Sequence, residues 1–77
     1  MKIIVTIIEL LEFLETPRTE EEITYSSYIS PSDTPKVIKF LSKWGQILPA
    51  TGGKFVVNER KPKPWIPTRI LDYCGLK

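Results

Sequence analysis

Residues 19–47, TEEEITYSSYISPSDTPKVIKFLSKWGQI, decide how this chain is read. Thr19-Glu20-Glu21-Glu22 is a capping box, in which the Thr19 hydroxyl suits the backbone N–H of Glu22 and the Glu22 carboxylate reaches back to the Thr19 amide. A helix therefore starts there. It is short, running to about Tyr28, because Ser26 and Ser27 are poor helix formers and Ser30-Pro31 follows. The next helix does not begin at Ser30, since Pro35 would then lie inside it and delete a needed donor. With Ser32 or Thr34 as N-cap, Pro35 falls in the first turn, where its missing N–H is harmless. This helix runs from Ser32 or Pro35 to Trp44, and Gly45 is its natural stop.

Its two faces differ. At about 100° per residue, Thr34, Val37, Ile38 and Trp44 fall within about 60° of Leu41, whereas Ser32, Lys36, Lys39 and Lys43 cluster opposite. One side is apolar and the other carries three ammonium groups.

Toward the N-terminus, apolar residues at Ile4, Ile7, Ile8, Leu11 and Leu14 have three-and-four spacing, which predicts a helix from about Lys2 to Glu15. Ile3, Leu10 and Phe13 fall beside that stripe and call for a separate cover. Thr16-Pro17 ends the helix. The start, MKIIVTIIELLEFLE, resembles a signal peptide in its apolar run, but Glu9, Glu12 and Glu15 interrupt it and no small-residue cleavage site follows. The run is also too short to span a bilayer, so no membrane partner is expected.

Toward the C-terminus, Gln46–Ala50 and Lys54–Asn58 read as two strands around Thr51-Gly52-Gly53, where paired glycines supply the positive φ of a tight hairpin. Residues 59–77 then form a basic, Pro-rich linker, KPKPWIP, and a short helix, TRILDYC, ended by Gly75.

The order and spacing over residues 2–58 resemble the winged helix-turn-helix superfamily. The matching positions are Ile23 in the second helix, Ile29-Ser30 at the turn, and Ile38, Leu41, Gly45 and Ile47 around the third helix and first wing strand. Thr34 and Ser27 stand where the family often has aliphatic residues. The resemblance implies an α+β fold, a three-helix domain with a two-stranded β-wing, of which residues 59–77 are a C-terminal extension. It also implies that the third helix enters the major groove of double-stranded DNA while the wing touches the flanking backbone. The superfamily includes protein-interaction modules as well as DNA-binding regulators, so another protein is the alternative partner.

Carried onto this chain, the DNA-binding set is Ser32, Asp33, Lys36, Lys39 and Lys43 on the third helix, Gly53 and Lys54 near the wing tip, and Lys61 after the second strand. The exposed helix face has no Arg, Asn or Gln to pair bidentately with a base, which leaves Ser32, Asp33, Lys36 and Lys39 for base edges. Phosphate contacts should dominate. Neutralising about 4 to 6 phosphates per subunit implies a log–log salt slope on the order of −4 to −5. Lysines at helical spacing also make an ordinary soluble surface, and glycines in a hairpin an ordinary turn.

Ile3, Leu10 and Phe13 can be covered by the C-terminal Ile66, Ile70, Leu71 and Tyr73, or by a second copy of the chain. In small winged-helix regulators helix 1 and the terminal elements often make the dimer, so the resemblance favours a homodimer. Trp44 is expected in the core and Tyr28 as a brace between the second and third helices. Trp65 has three uses open to it: stacking on a base, docking into the body, or burial in a second subunit. Docking is the expectation, since an exposed Trp is rare without a use.

Composition narrows the function classes. In 77 residues there is room for one small domain with a marginal core. Cys74 is the single cysteine and there is no histidine, which leaves no intrachain disulfide, no cysteine metal cluster and no imidazole base. No catalysis and no cofactor are expected, and the chemistry suits the cytoplasm. Thr51-Gly52-Gly53-Lys54 lacks the spacing of a P-loop. Charge is uneven: residues 1–22 carry two basic against six acidic side chains, net −4, and residues 23–77 carry nine against three, net +6. Such asymmetry points to a basic surface toward a polyanion, although charged solvent faces are also common without any partner.

Overall fold

The computed structural model describes residues 3–76. Helix α1 (Ile7–Phe13) begins five residues later than the Lys2 start that apolar spacing predicts, and Thr6 is the reason. Its hydroxyl accepts the Glu9 N–H at 3.2 Å while Glu9 Oε1 accepts the Thr6 amide at 3.1 Å, a second capping box. Lys2 lies outside the described residues. Before the cap the chain is extended: Ile4 donates to the Ser26 carbonyl and accepts from the Tyr28 amide, both at 2.8 Å, in a parallel bridge to Ser27. β-Branched Ile4 and Val5 suit such backbone.

Helix α2 (Glu20–Ser26) starts at the Thr19 capping box and ends two residues short of Tyr28, because Ser27 is extended (φ −120°, ψ 166°). The buried Ser27 hydroxyl donates to the Ile23 carbonyl. Helix α3 (Thr34–Lys43) has Pro35 in its first turn as expected, but its N-cap is Asp33, whose side chain makes no capping bond. Ser30 substitutes for it: its hydroxyl accepts the Asp33 amide at 3.2 Å and its carbonyl accepts the Thr34 amide at 3.1 Å. At the other end Gly45 has φ 73°, and bonds from the Gly45 and Gln46 amides to Ser42 (3.1 Å) and Leu41 (2.8 Å) close the helix as a Schellman motif.

Strands β2 (Ile47–Ala50) and β3 (Lys54–Val57) pair antiparallel from Ile47↔Val57 to Ala50↔Lys54. The loop between them turns on Gly52 (φ 81°) and Gly53 (φ 70°), the left-handed region that glycine tolerates. A third strand is unforeseen by periodicity: β1 (Arg18–Thr19) pairs antiparallel with β3, giving the order β1-β3-β2. Pro49 is tolerated because β2 is an edge strand. The Val57 amide donates to the Leu14 carbonyl at 2.8 Å, tying the sheet to the end of α1.

Ile7, Leu10, Leu11, Leu14, Ile23, Val37, Leu41 and Ile47 form the centre of the core. Helical spacing sets Leu10 beside the buried stripe, yet it lies in the core, because helix α4 (Ile70–Tyr73) lies on α1. The tail is anchored by the Ile7 amide to the Thr68 carbonyl (2.8 Å) and the Ile70 amide to the Val5 carbonyl (3.2 Å). Ile70 is 1% exposed, and burying such a side chain is worth about 2 to 3 kcal/mol. The result is a small α+β domain with four helices and a three-stranded antiparallel sheet among the described residues. No helix is long and apolar enough to cross a membrane among them.

Three aromatic expectations are overturned. Trp44 is 58% exposed: it occupies the C-cap, where the chain already leaves the helical path, so extending the wheel to it misplaces its side chain. Phe40 packs there in its stead, edge-on to Tyr73 at 6.0 Å. Tyr28 is exposed, since extended backbone alternates and Ser27 takes the inward place. Trp65 is 84% exposed, because the tail docks through Ile70 and Cys74.

Candidate nucleic-acid interface

Helix α3 positions its cations by burying the opposite side. Thr34, Val37, Ile38 and Leu41 are buried, and Lys36, Lys39, Ser42 and Lys43 are exposed. Among the described residues no carboxylate lies within ion-pair distance of Lys36, Lys39 or Lys43. Lys43 Nζ stands 5.9 Å from the centre of the Trp44 ring. Ser32 and Asp33 precede the helix: the Ser32 hydroxyl is 3.0 Å from that of Ser30, so it is engaged in the turn, and Asp33 puts a negative charge at the start of the basic face.

Lys61 reaches the C-terminal end of α3 from far along the chain. Asn58 donates its side-chain amide to the Gly45 carbonyl at 2.9 Å and its backbone amide to the Gln46 carbonyl at 2.8 Å, which turns the chain back over the C-terminus of α3. Lys61 then lies so close to Gly45 that a Cβ placed there would meet Lys61 Cε at 3.1 Å. Lys36, Lys39, Lys43 and Lys61 thus mark the side and the C-terminal end of one helix.

Lys54 has different surroundings. Its partner across β1 is Thr19, the cap of α2, so it stands in the field of Glu22. The Glu22 carboxyl is held below its usual value of 4.5 first by the Thr19 backbone N–H, then by the Thr19 hydroxyl and the charges of Arg18 and Lys54. Gly53 is exposed, with open space on its Cα side. Two further cations are engaged internally. Lys63 pairs with Glu15 at 2.9 Å, which raises its pKa, and Arg18 donates to the Phe13 carbonyl at 3.2 Å with its guanidinium 4.2 Å over the Phe13 ring.

The residues expected at a dimer or tail interface do not share one surface. Leu10 and Ile70 are interior. Phe13 is half-buried beneath Arg18, and Tyr73 is half-buried against Phe40 with its hydroxyl accepting from Gln46 Nε2 at 3.2 Å. Ile3 and Trp65 are exposed, and half-buried Leu71 lines a groove with Val5, Tyr28, Ile29, Arg69 and Ile70. Sequence reasoning missed this groove. The available signal was alternation at Ile3-Ile4-Val5, with Ile4 inward and its neighbours outward.

The remaining chemistry is sparse. Among the described residues no group of three His, Cys, Asp or Glu side chains converges as metal ligands would. The Cys74 thiol is buried, and burial pushes its pKa up to about 11. Comparison with protein-family models, curated proteins and solved structures returned no match.

Proposed function

We propose that the chain is a winged helix-turn-helix protein that binds double-stranded DNA through α3, and that it works as a small homodimeric transcriptional regulator. One observation carries the reading: Lys36, Lys39 and Lys43 stand exposed and free of carboxylates on the outer face of a helix whose inner face is fully packed. Cations so arranged reach phosphates from one side and give up little on binding, since no internal ion pair has to break. The helix pair followed by a glycine hairpin supports the family plan.

The geometry also narrows the contact. Glu20, Glu21 and Glu22 open α2 beside Lys54, and such a carboxylate cluster repels a polyanion. DNA is therefore gripped along α3 and at Lys61, with the hairpin contributing little through Lys54. Four such lysines correspond to a salt slope on the order of −4 per subunit. Reversing Lys36 and Lys39 to Glu tests the mode: duplex binding at low salt should vanish, and unchanged affinity would exclude α3 as the binding element.

A second reading, a protein-interaction module, is favoured by the groove of Val5, Tyr28, Ile29 and Leu71, with Ile3 exposed two residues before Val5. A monomer mass with no duplex affinity, together with a co-purifying protein, would favour the module.

A further inference from the structure

Trp44 sits at the end of the lysine face, and its surroundings differ from those of the other exposed indole. Phe40 braces its ring at a 6.2 Å centroid distance and a 54° tilt, Lys43 Nζ lies 5.9 Å from its centre, and Lys61 flanks the adjoining Gly45. Trp65 lacks this setting: the nearby Lys63 is already paired with Glu15. We infer that Trp44 is a stacking site for one unpaired base, with Lys43 and Lys61, which hold duplex phosphates when the end is blunt, taking the phosphates on either side of that nucleotide at an overhang. The ligand class is a single-stranded stretch of nucleic acid adjoining a duplex. This rests on the duplex reading for what occupies the rest of α3.

The physical case has three parts. An indole offers a face to any base, and cations beside it hold the backbone, the combination that binds single strands without sequence preference. Lys43 is at the outer limit of cation–π contact, about 6 Å, so a base displaces it readily and frees the ammonium for a phosphate. Phe40 restrains the ring before the ligand arrives, which lowers the ordering cost of binding.

The test uses the full chain carrying Trp65→Phe, which leaves Trp44 as the single tryptophan. Its fluorescence is followed while a blunt duplex, the same duplex with an oligothymidine overhang, and oligothymidine alone are titrated. Quenching by the overhang and by oligothymidine, but not by the blunt duplex, is expected. With binding followed instead by the anisotropy of dye-labelled DNA, adding Trp44→Ala should weaken overhang binding about tenfold while blunt-duplex affinity stays within about twofold, and Trp44→Phe should recover most of the loss. Equal overhang affinity in the Trp44→Ala protein, or equal quenching by blunt duplex, overturns the stacking site. Quenching by oligothymidine with no duplex binding supports the site and removes the duplex reading. Absence of all nucleic-acid binding removes both.

Discussion

The hydroxyl of Thr24 in α2 donates to the hydroxyl of Thr34 in α3 across 2.6 Å, and Thr34 donates onward to the Ser30 carbonyl at 3.0 Å. Thr34 is 0% exposed, at a position where an aliphatic residue would be the usual filler. Both helices and the turn between them are thereby joined by one chain of bonds, which sets how α3 presents its lysines.

Thr34→Val keeps the volume and removes the relay. Each former partner still finds a bond, since the Thr24 hydroxyl turns its one proton to the Glu20 carbonyl 3.0 Å away and the Ser30 carbonyl still accepts the residue 34 amide. No buried group is orphaned, so the expected loss is modest, about 1 kcal/mol by urea unfolding. A Thr24→Val/Thr34→Val cycle should show coupling of about 0.5 to 1 kcal/mol. A gain in stability from Thr34→Val would mean the relay is not used.

The α2 cap makes stability depend on pH. Glu22 has a depressed pKa in the fold, so its stabilising contribution is fully present above the usual value of 4.5 and is lost as pH falls through the lowered folded value. Glu22→Gln keeps an acceptor for the Thr19 amide but cannot titrate, and should flatten the acid limb of a thermal-melting profile below pH 4.5. Thr19→Ala should cost about 1 kcal/mol at neutral pH. An acid limb identical in Glu22→Gln and the parent would contradict this assignment.

Ile70 ties the tail into the core, whereas Trp65 in the same tail is left in water. Ile70→Ala should therefore cost about 2 to 4 kcal/mol, a large share of what so small a domain possesses. Trp65→Ala should fall within about 0.5 kcal/mol of the parent. Equal effects of the two substitutions would show that the tail does not dock on α1 through Ile70.

Cys74 should be chemically silent in the fold. A thiol pKa of about 11 leaves almost no thiolate at neutral pH, and burial blocks approach. Labelling by a thiol-reactive dye should stay slow until denaturant unfolds the chain. Rapid labelling in native buffer would place the α4 turn in an open state. The raised pKa also carries a sign: its contribution is present below the ordinary thiol value of 9.0 and is lost as pH rises toward 11.

What could be read from residues alone was set by local chemistry. The α2 start, Pro35 in the first turn of α3, Gly45 as its stop and the Gly52-Gly53 turn each depend on a few neighbouring residues, and all stand in the structure. The lysine face followed from helical spacing in the same way. Thr6-Ile7-Ile8-Glu9 carries the same box letters as Thr19, yet the apolar stripe running through it obscured the cap. Features made by distant partners were not legible. β1 exists only because β3 comes alongside, and that pairing is also what sets Lys54 against Glu22. Lys61 reaches α3 only through the Asn58 bond to Gly45. Helical spacing misplaces Trp44 because the residue stands on the C-cap, where helical geometry ends.

The most direct test of the account is a salt-series titration of blunt duplex DNA, with the mass of the protein measured in the same buffer. Binding at low salt by a dimeric protein is expected, weakening with a log–log slope on the order of −4 per subunit and abolished by Lys36→Glu/Lys39→Glu. No affinity at low salt, or an affinity that salt and charge reversal leave unchanged, would contradict the claim that the lysine face of α3 grips DNA.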